Sequence, residues 1–235
     1  MKPYRRLPIA ECGEPLVAIP RSLATRLAPH PYLAAGAPYE GLSPWQLRSG
    51  VVEALERAAA RLPGGLRFVL YDAYRPVAVQ SFMVTEAFKA LSGGLPPEAV
   101  DEERRQLWLE RTFRIWAEPS EDPNTPPPHS TGAAIDLTLA GADGVPLDMG
   151  SPIDENSDRS LPDYFRDRDP EIHRRREWLH EALAGAGFRR HPEEWWHFSL
   201  GDQLWAFLLG QDTASPPPLA RYGRADGLSP NPGSL

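Results

Sequence analysis

Cys12 is the single cysteine in 235 residues. That excludes an intramolecular disulfide and any zinc site built on a pair of thiolates, and it fits a reducing compartment. Lysine is almost as scarce: Lys2 and Lys89 stand alone, and the remaining positive charge is arginine. Acidic residues leave a formal net charge of −7, which argues against the clustered cationic surface that nucleic acid requires. No apolar run approaches the ~18 residues of a membrane span. The opening MKPYRRLPIAECGEP carries charge but no apolar stretch of a secretory leader. Cytoplasm is the expected location, with neither membrane nor nucleic acid as partner; oligomeric state is not encoded legibly.

What is present is ordinary for a folded domain, with 41% hydrophobic and 24% charged residues. The length suits one hydrophobic core. The 27 prolines, about twice the usual share, fall in clusters and predict long fixed loops. One domain is expected over residues 1–210. Residues 211–235, mostly Pro, Gly, Ser, Asp and Arg, form a tail that docks as extended chain or stays mobile.

Along the chain, the first forty residues set no period and are expected to wrap irregularly. Ser43-Pro44 followed by Leu47, Val51, Val52, Leu55 and Ala59 predicts a helix with an N-cap and a proline at its first turn. A strand is predicted from Arg67 to Tyr71, then helices from Val77 to Leu91 and from Pro97 to Trp116, parted by Ser92-Gly93-Gly94. Three prolines hold 126–128 extended before His129. In the strand Ala134 to Leu139, Ile135, Leu137 and Leu139 share the core face, leaving Asp136 on the other. An acidic loop over 148–170, a helix from Glu171 to Ala186, strands Phe188 to His191 and Trp195 to Leu200, and a helix Gln203 to Leu209 complete the domain. Such an order, without strand-helix-strand alternation or a Gly-rich phosphate turn, predicts an α+β fold: a small antiparallel sheet carrying the site, flanked by helices.

Three segments carry chemistry: YDAYRP at 71–76, HSTGAAID at 129–136 and EWWH at 194–197. A catalytic zinc needs three N or O ligands at roughly 2.0–2.2 Å and one open position. His129, Asp136 and His197 supply two imidazoles and a carboxylate, with Gly132 permitting the turn between the first two. Glu194 cannot share a strand face with His197 three residues on, so it belongs in the turn before that strand, where it can act as general base. Trp195 and Trp196 are expected to divide between pocket and core. Each segment alone also has a plain reading: a chance spacing, an aromatic core strand, a buried arginine at a strand end. Their co-occurrence carries the argument. His180-Glu181 begins like HExxH but has Ala184 where the second histidine belongs. His30, His173 and His191 lack a ligand-spaced partner, and His173 and His180 are expected to face solvent.

Together the segments, over about 66–198, resemble the D-alanyl-D-alanine dipeptidases, zinc peptidases related to the vancomycin-resistance dipeptidases. The resemblance implies His129 and Asp136 (from SxHxxGxAxD) and His197 as ligands of one zinc, with Glu194 as base. It further implies Arg75 of YRP as a transition-state partner, and Asp154 of MGSPID, like the family's MGxxxD loop, as the holder of the substrate ammonium. Where that pattern carries Ser two residues before the first ligand, this chain has Pro127. The expected activity is hydrolysis of a small free dipeptide such as D-Ala-D-Ala. Alternatives are a D,D-carboxypeptidase acting on longer murein peptides and a zinc-binding domain without turnover.

Overall fold

The computed structural model describes residues 2–212 and 216–225. Its centre is a five-stranded sheet in the order β2-β4-β5-β7-β6. The strands are β2 (Ala24–Arg26), β4 (Arg67–Asp72), β5 (Ala134–Ala140), β6 (Arg189–Arg190) and β7 (His197–Ser199). β4, β5, β7 and β6 pair antiparallel, but β2 runs parallel to β4. The sheet is therefore mixed rather than wholly antiparallel as expected. β2 escaped notice because three residues are too few to establish an alternation.

A two-stranded ribbon joins β1 (Leu16–Ala18) to β3 (Gln46–Arg48). This corrects the helix expected from Ser43: α2 spans Ser49–Ala59, and the three residues before it are strand. Backbone pairing with β1 outweighs the local Ser-Pro start signal. The first forty residues thus hold two strands and the short helix α1 (Pro31–Ala34).

The remaining helices are α3 (Val77–Ser92), α4 (Glu102–Ile115), α5 (Pro170–Ala184) and α6 (Gln203–Asp212). Gly93 closes α3 with a left-handed φ of 69°. Asp101 caps α4 by accepting from the Arg104 amide, and Asp169 caps α5 by accepting from Glu171 and Ile172. Leu47, Leu55, Phe68, Leu70, Ile135, Leu137, Leu139, Leu179 and Phe198 are fully buried in one continuous core. Burying Leu or Phe from water contributes about 1.5–3 kcal/mol each, which makes the sheet a stiff floor for what stands on it.

Residues 216–225 return to the body as extended chain. Ile9 and Ala220 form a parallel bridge, Arg48 Nη2 donates to the Gly223 carbonyl at 2.9 Å, and the Ala225 amide donates to the Ser130 carbonyl at 2.9 Å. The rest of the stretch beyond 212 lies outside the described residues.

Candidate active site

Register places the polar residues. Across β5 and β7, Asp136 faces His197, and across β4 and β5, Asp72 faces Asp136. Three strands thereby contribute one row of side chains. Asp72 reaches that row through a bulge between Leu70 and Asp72. Simple alternation would have left it on the face of Phe68 and Leu70; the extra residue turns it over.

His129 comes from a 3-10 turn, Pro128–Thr131, which follows the extended prolines. Gly132 ends the turn at φ +69°, and a Cβ there would collide with Leu16. Ser130 Oγ donates to the Arg75 carbonyl at 2.7 Å, and the Arg75 amide to the His129 carbonyl at 3.3 Å, so this turn and the YRP segment brace each other.

The three expected ligands converge. His129 Nε2 lies 3.1 Å from His197 Nδ1 and 3.2 Å from Asp136 Oδ2, and His197 Nδ1 lies 3.0 Å from Asp136 Oδ1. All three residues are buried. The outer ring atoms decide the tautomers. His129 Nδ1 faces the Ala73 carbonyl at 2.7 Å, a partner that only accepts, so Nδ1 carries the proton. Ser199 Oγ donates its hydrogen to Asp202 at 2.8 Å, so at 3.4 Å it accepts from His197 Nε2, the nitrogen that carries the ring hydrogen. Two imidazole lone pairs and a carboxylate then point at one another with no hydrogen between them. Such an all-acceptor set calls for a cation. Atoms bound at ~2.0 Å to one tetrahedral ion stand roughly 3.3 Å apart, close to the separations here, so the residues fit a divalent metal.

Glu194 sits in the turn before β7, buried, with Oε2 4.0 Å from His197 Nδ1. It accepts no hydrogen bond from the described residues, and burial pushes its carboxyl well above the ordinary value against the pull of Lys2. Trp195 and Trp196 behind it are both fully buried, which corrects the expected division between pocket and core. Trp195 Nε1 donates to Ser151 Oγ at 2.9 Å, tying the Glu194 turn to the 147–154 loop.

Arg75 is buried beneath the ligands. Its Nε donates to Asp72 Oδ2 at 2.9 Å, Nη1 to Gln80 Oε1 at 2.8 Å, and Nη2 to Tyr32 Oη at 3.2 Å and Asp136 Oδ2 at 3.4 Å. Asp154 ends the MGSPID loop with a φ of 67°, a left-handed conformation that Asp tolerates better than most residues. It accepts from Tyr32 Oη at 2.9 Å, and burial followed by the charge of Asp136 pushes its carboxyl up to about 7. Arg75, His129, Asp136, Asp154, Glu194 and His197 line one cleft.

Sequence reasoning missed several neighbours. His30 is buried, not idle: its Nδ1 accepts from the Leu33 amide, so its Nε2 donates to Asp72 Oδ1 at 3.1 Å. His191 is buried beside Glu194, its Nδ1 accepting from the Glu193 amide at 3.1 Å, and burial keeps it neutral. Lys2 and Tyr4 line the cleft from the N-terminal turn. No local pattern could have announced contacts across so much chain. His173 and His180 are half-buried rather than solvated. Asp163, His173 and Glu177 also approach one another, but Glu177 is already paired with Arg190 and His180.

A sequence profile described as D-ala-D-ala dipeptidase matches residues 47–214. The chain belongs to that family. It is a peptidase. Over 241 aligned residues, 96% of this chain and 98% of the relative, it is 44% identical to a D-alanyl-D-alanine dipeptidase of Synechocystis. The D-alanyl-D-alanine dipeptidase of Escherichia coli is 33% identical over 58% of this chain and 56% of its own length. That of Enterococcus faecium is 31% identical over 68% and 73%. A dipeptidase of this family takes a small peptide as substrate, and among the described residues no helix is long and apolar enough to cross a membrane.

Proposed function

We propose that this dipeptidase-family chain hydrolyses a small free dipeptide, D-Ala-D-Ala foremost, at one zinc held by His129 Nε2, Asp136 and His197 Nδ1. The observation carrying the reading is the buried acceptor triad, whose atoms lie 3.0–3.2 Å apart with no hydrogen among them. When bound, zinc supplies a Lewis acid that polarises the scissile carbonyl and acidifies water. The rest belongs to the chain. Glu194, desolvated beside the triad and with no hydrogen-bond donor on it among the described residues, takes the proton of the attacking water and returns it to the leaving amine. Arg75 keeps Asp136 oriented through Nη2 and has an Nη1 hydrogen left for the developing oxyanion, since Gln80 is the one acceptor on that nitrogen among the described residues. Asp154 receives the substrate ammonium, whose charge draws its carboxyl back to the ionised form. The catalytic unit is proposed to be residues 1–210, with 211–235 as its tail.

The deciding experiment incubates zinc-loaded protein with D-Ala-D-Ala, L-Ala-L-Ala and an N-acylated tripeptide. Cleavage of the free D,D-dipeptide alone supports the reading. Preference for the acylated tripeptide would select a D,D-carboxypeptidase, and metal uptake without turnover would select a binding domain.

A further inference from the structure

The cleft must also receive the second charge of a free dipeptide, its carboxylate, and this rests on the dipeptide reading above. Among the described residues, the Arg and Lys side chains that line the cleft are Arg75 and Lys2. Arg75 is committed: Asp72, Gln80, Tyr32 and Asp136 take its donors and leave at most one hydrogen over. Lys2 is not. Its ammonium has one hydrogen bond among the described residues, a long 3.5 Å contact to the Arg114 carbonyl, and no carboxylate within ion-pair reach. An ammonium carries three donors.

The position of Lys2 is built rather than incidental. Tyr4 and Arg5, in the 3-10 turn Pro3–Arg6, are buried. The Arg5 guanidinium binds the Glu118 carbonyl, and Gln203 Nε2 on α6 donates to the Arg5 carbonyl at 3.3 Å and the Leu7 carbonyl at 2.6 Å. The turn is thereby pinned against α6, which lends Leu204 to the same cleft. Lys2 is also the charged group that acts most strongly on both Glu194 and His191. It lines the same cleft as Glu194 and His191, with no carboxylate of the described residues within 4 Å of its ammonium.

We propose that the Lys2 ammonium takes the α-carboxylate of the dipeptide, and that the N-terminal turn is the wall that fixes substrate length at two residues. Asp154 and Lys2 then read the two charges of one zwitterion. A peptide extended at its C-terminus loses the carboxylate at that distance and meets the turn instead.

The test compares D-Ala-D-Ala with its C-terminal amide on the full chain loaded with zinc. Wild type should show a KM about 10- to 100-fold higher for the amide, the size of a lost charge-assisted hydrogen bond, with kcat within a fewfold. Lys2→Met should raise KM for D-Ala-D-Ala by the same factor and leave KM for the amide unchanged, a change in kcat through Glu194 being common to both substrates, while Lys2→Arg restores most of the affinity. Zinc content and thermal midpoint report whether the variant has kept its fold, and the wild-type amide comparison needs no variant. Equal KM for both substrates on wild type, or an equal rise in KM on both in Lys2→Met, overturns the proposal and leaves the dipeptidase reading standing. A wild type that cleaves neither substrate overturns both.

Discussion

Two buried polar clusters stand side by side on one row of the sheet, and they are finished differently. Around Asp72 every partner is a donor: His30 and Tyr39 reach Oδ1 at 3.1 and 3.2 Å, and Arg75 reaches Oδ2 at 2.8 and 2.9 Å. Burial alone would raise this carboxyl, but Arg75 and then His30 hold it below its ordinary value. Around Asp136, a strand away, the imidazoles present lone pairs instead. The first cluster is complete without a ligand, and the second is complete only with one. A buried polar set that satisfies itself is scaffold, and one that cannot is the place to look for chemistry.

The sharpest way to test that contrast is to remove Glu194, which sits beside the incomplete cluster without belonging to it. Glu194→Ala should keep zinc and fold while turnover falls by about 10²- to 10⁴-fold, toward the upper end because one base serves two proton transfers. His197→Ala should lose metal and turnover together. Metal analysis and initial rates on both variants separate base from ligand; a metal-free Glu194→Ala would give that residue the wrong role.

Breaking the complete cluster should read out as stability. Asp72→Ala leaves the Arg75 guanidinium buried without its main partner, a change that costs about 3–5 kcal/mol. Urea unfolding of the metal-free protein measures it. His129→Ala in the same assay should cost markedly less charge stabilisation, because its partners repel through lone pairs; equal losses would erase the distinction between the clusters.

Arg75 joins the two clusters, and Arg75→Lys should not restore function. A single ammonium cannot hold Asp72, Gln80 and Asp136 in the fixed fork of a guanidinium. The expected loss is about 10²- to 10³-fold in kcat. A lysine variant within a fewfold of wild type would reduce Arg75 to a structural charge.

Smallest is the effect of Asp154→Asn, which should weaken the free dipeptide by roughly 1.5–3 kcal/mol and an N-acylated analogue hardly at all. It also has a pH signature. With its carboxyl raised from 3.8 to about 7, the folded state holds the proton more tightly than the unfolded chain. Stability of the metal-free protein should therefore fall as pH rises between those values, and Asp154→Asn should flatten that slope. Thermal midpoints across that window decide; an unchanged slope means Asp154 is not the group responsible.

How much of this was legible depended on range. His129, Asp136, Glu194 and His197 could be named because ligand chemistry, a seven-residue interval and strand alternation are local signals, and the structure brings those four together. The α+β arrangement followed from the same periodicities. β2 and β3 did not, being three residues each and made by partners rather than by propensity. Asp72 was hidden because a bulge breaks the alternation just where it mattered. His30 was hidden because its role depends on a residue 42 positions away.

The return of residues 216–225 has a consequence for how the molecule is made. Ser130, next to the first imidazole of the triad, is held by the amide of Ala225, and the Ile9–Ala220 bridge closes nearly the whole chain into a loop. Contacts of such sequence separation form late, after local helices and hairpins. The strap that steadies the His129 turn is thus among the last contacts the folding chain makes, and a chain cut before residue 216 is expected to keep every acceptor of the triad while losing the bond that holds Ser130.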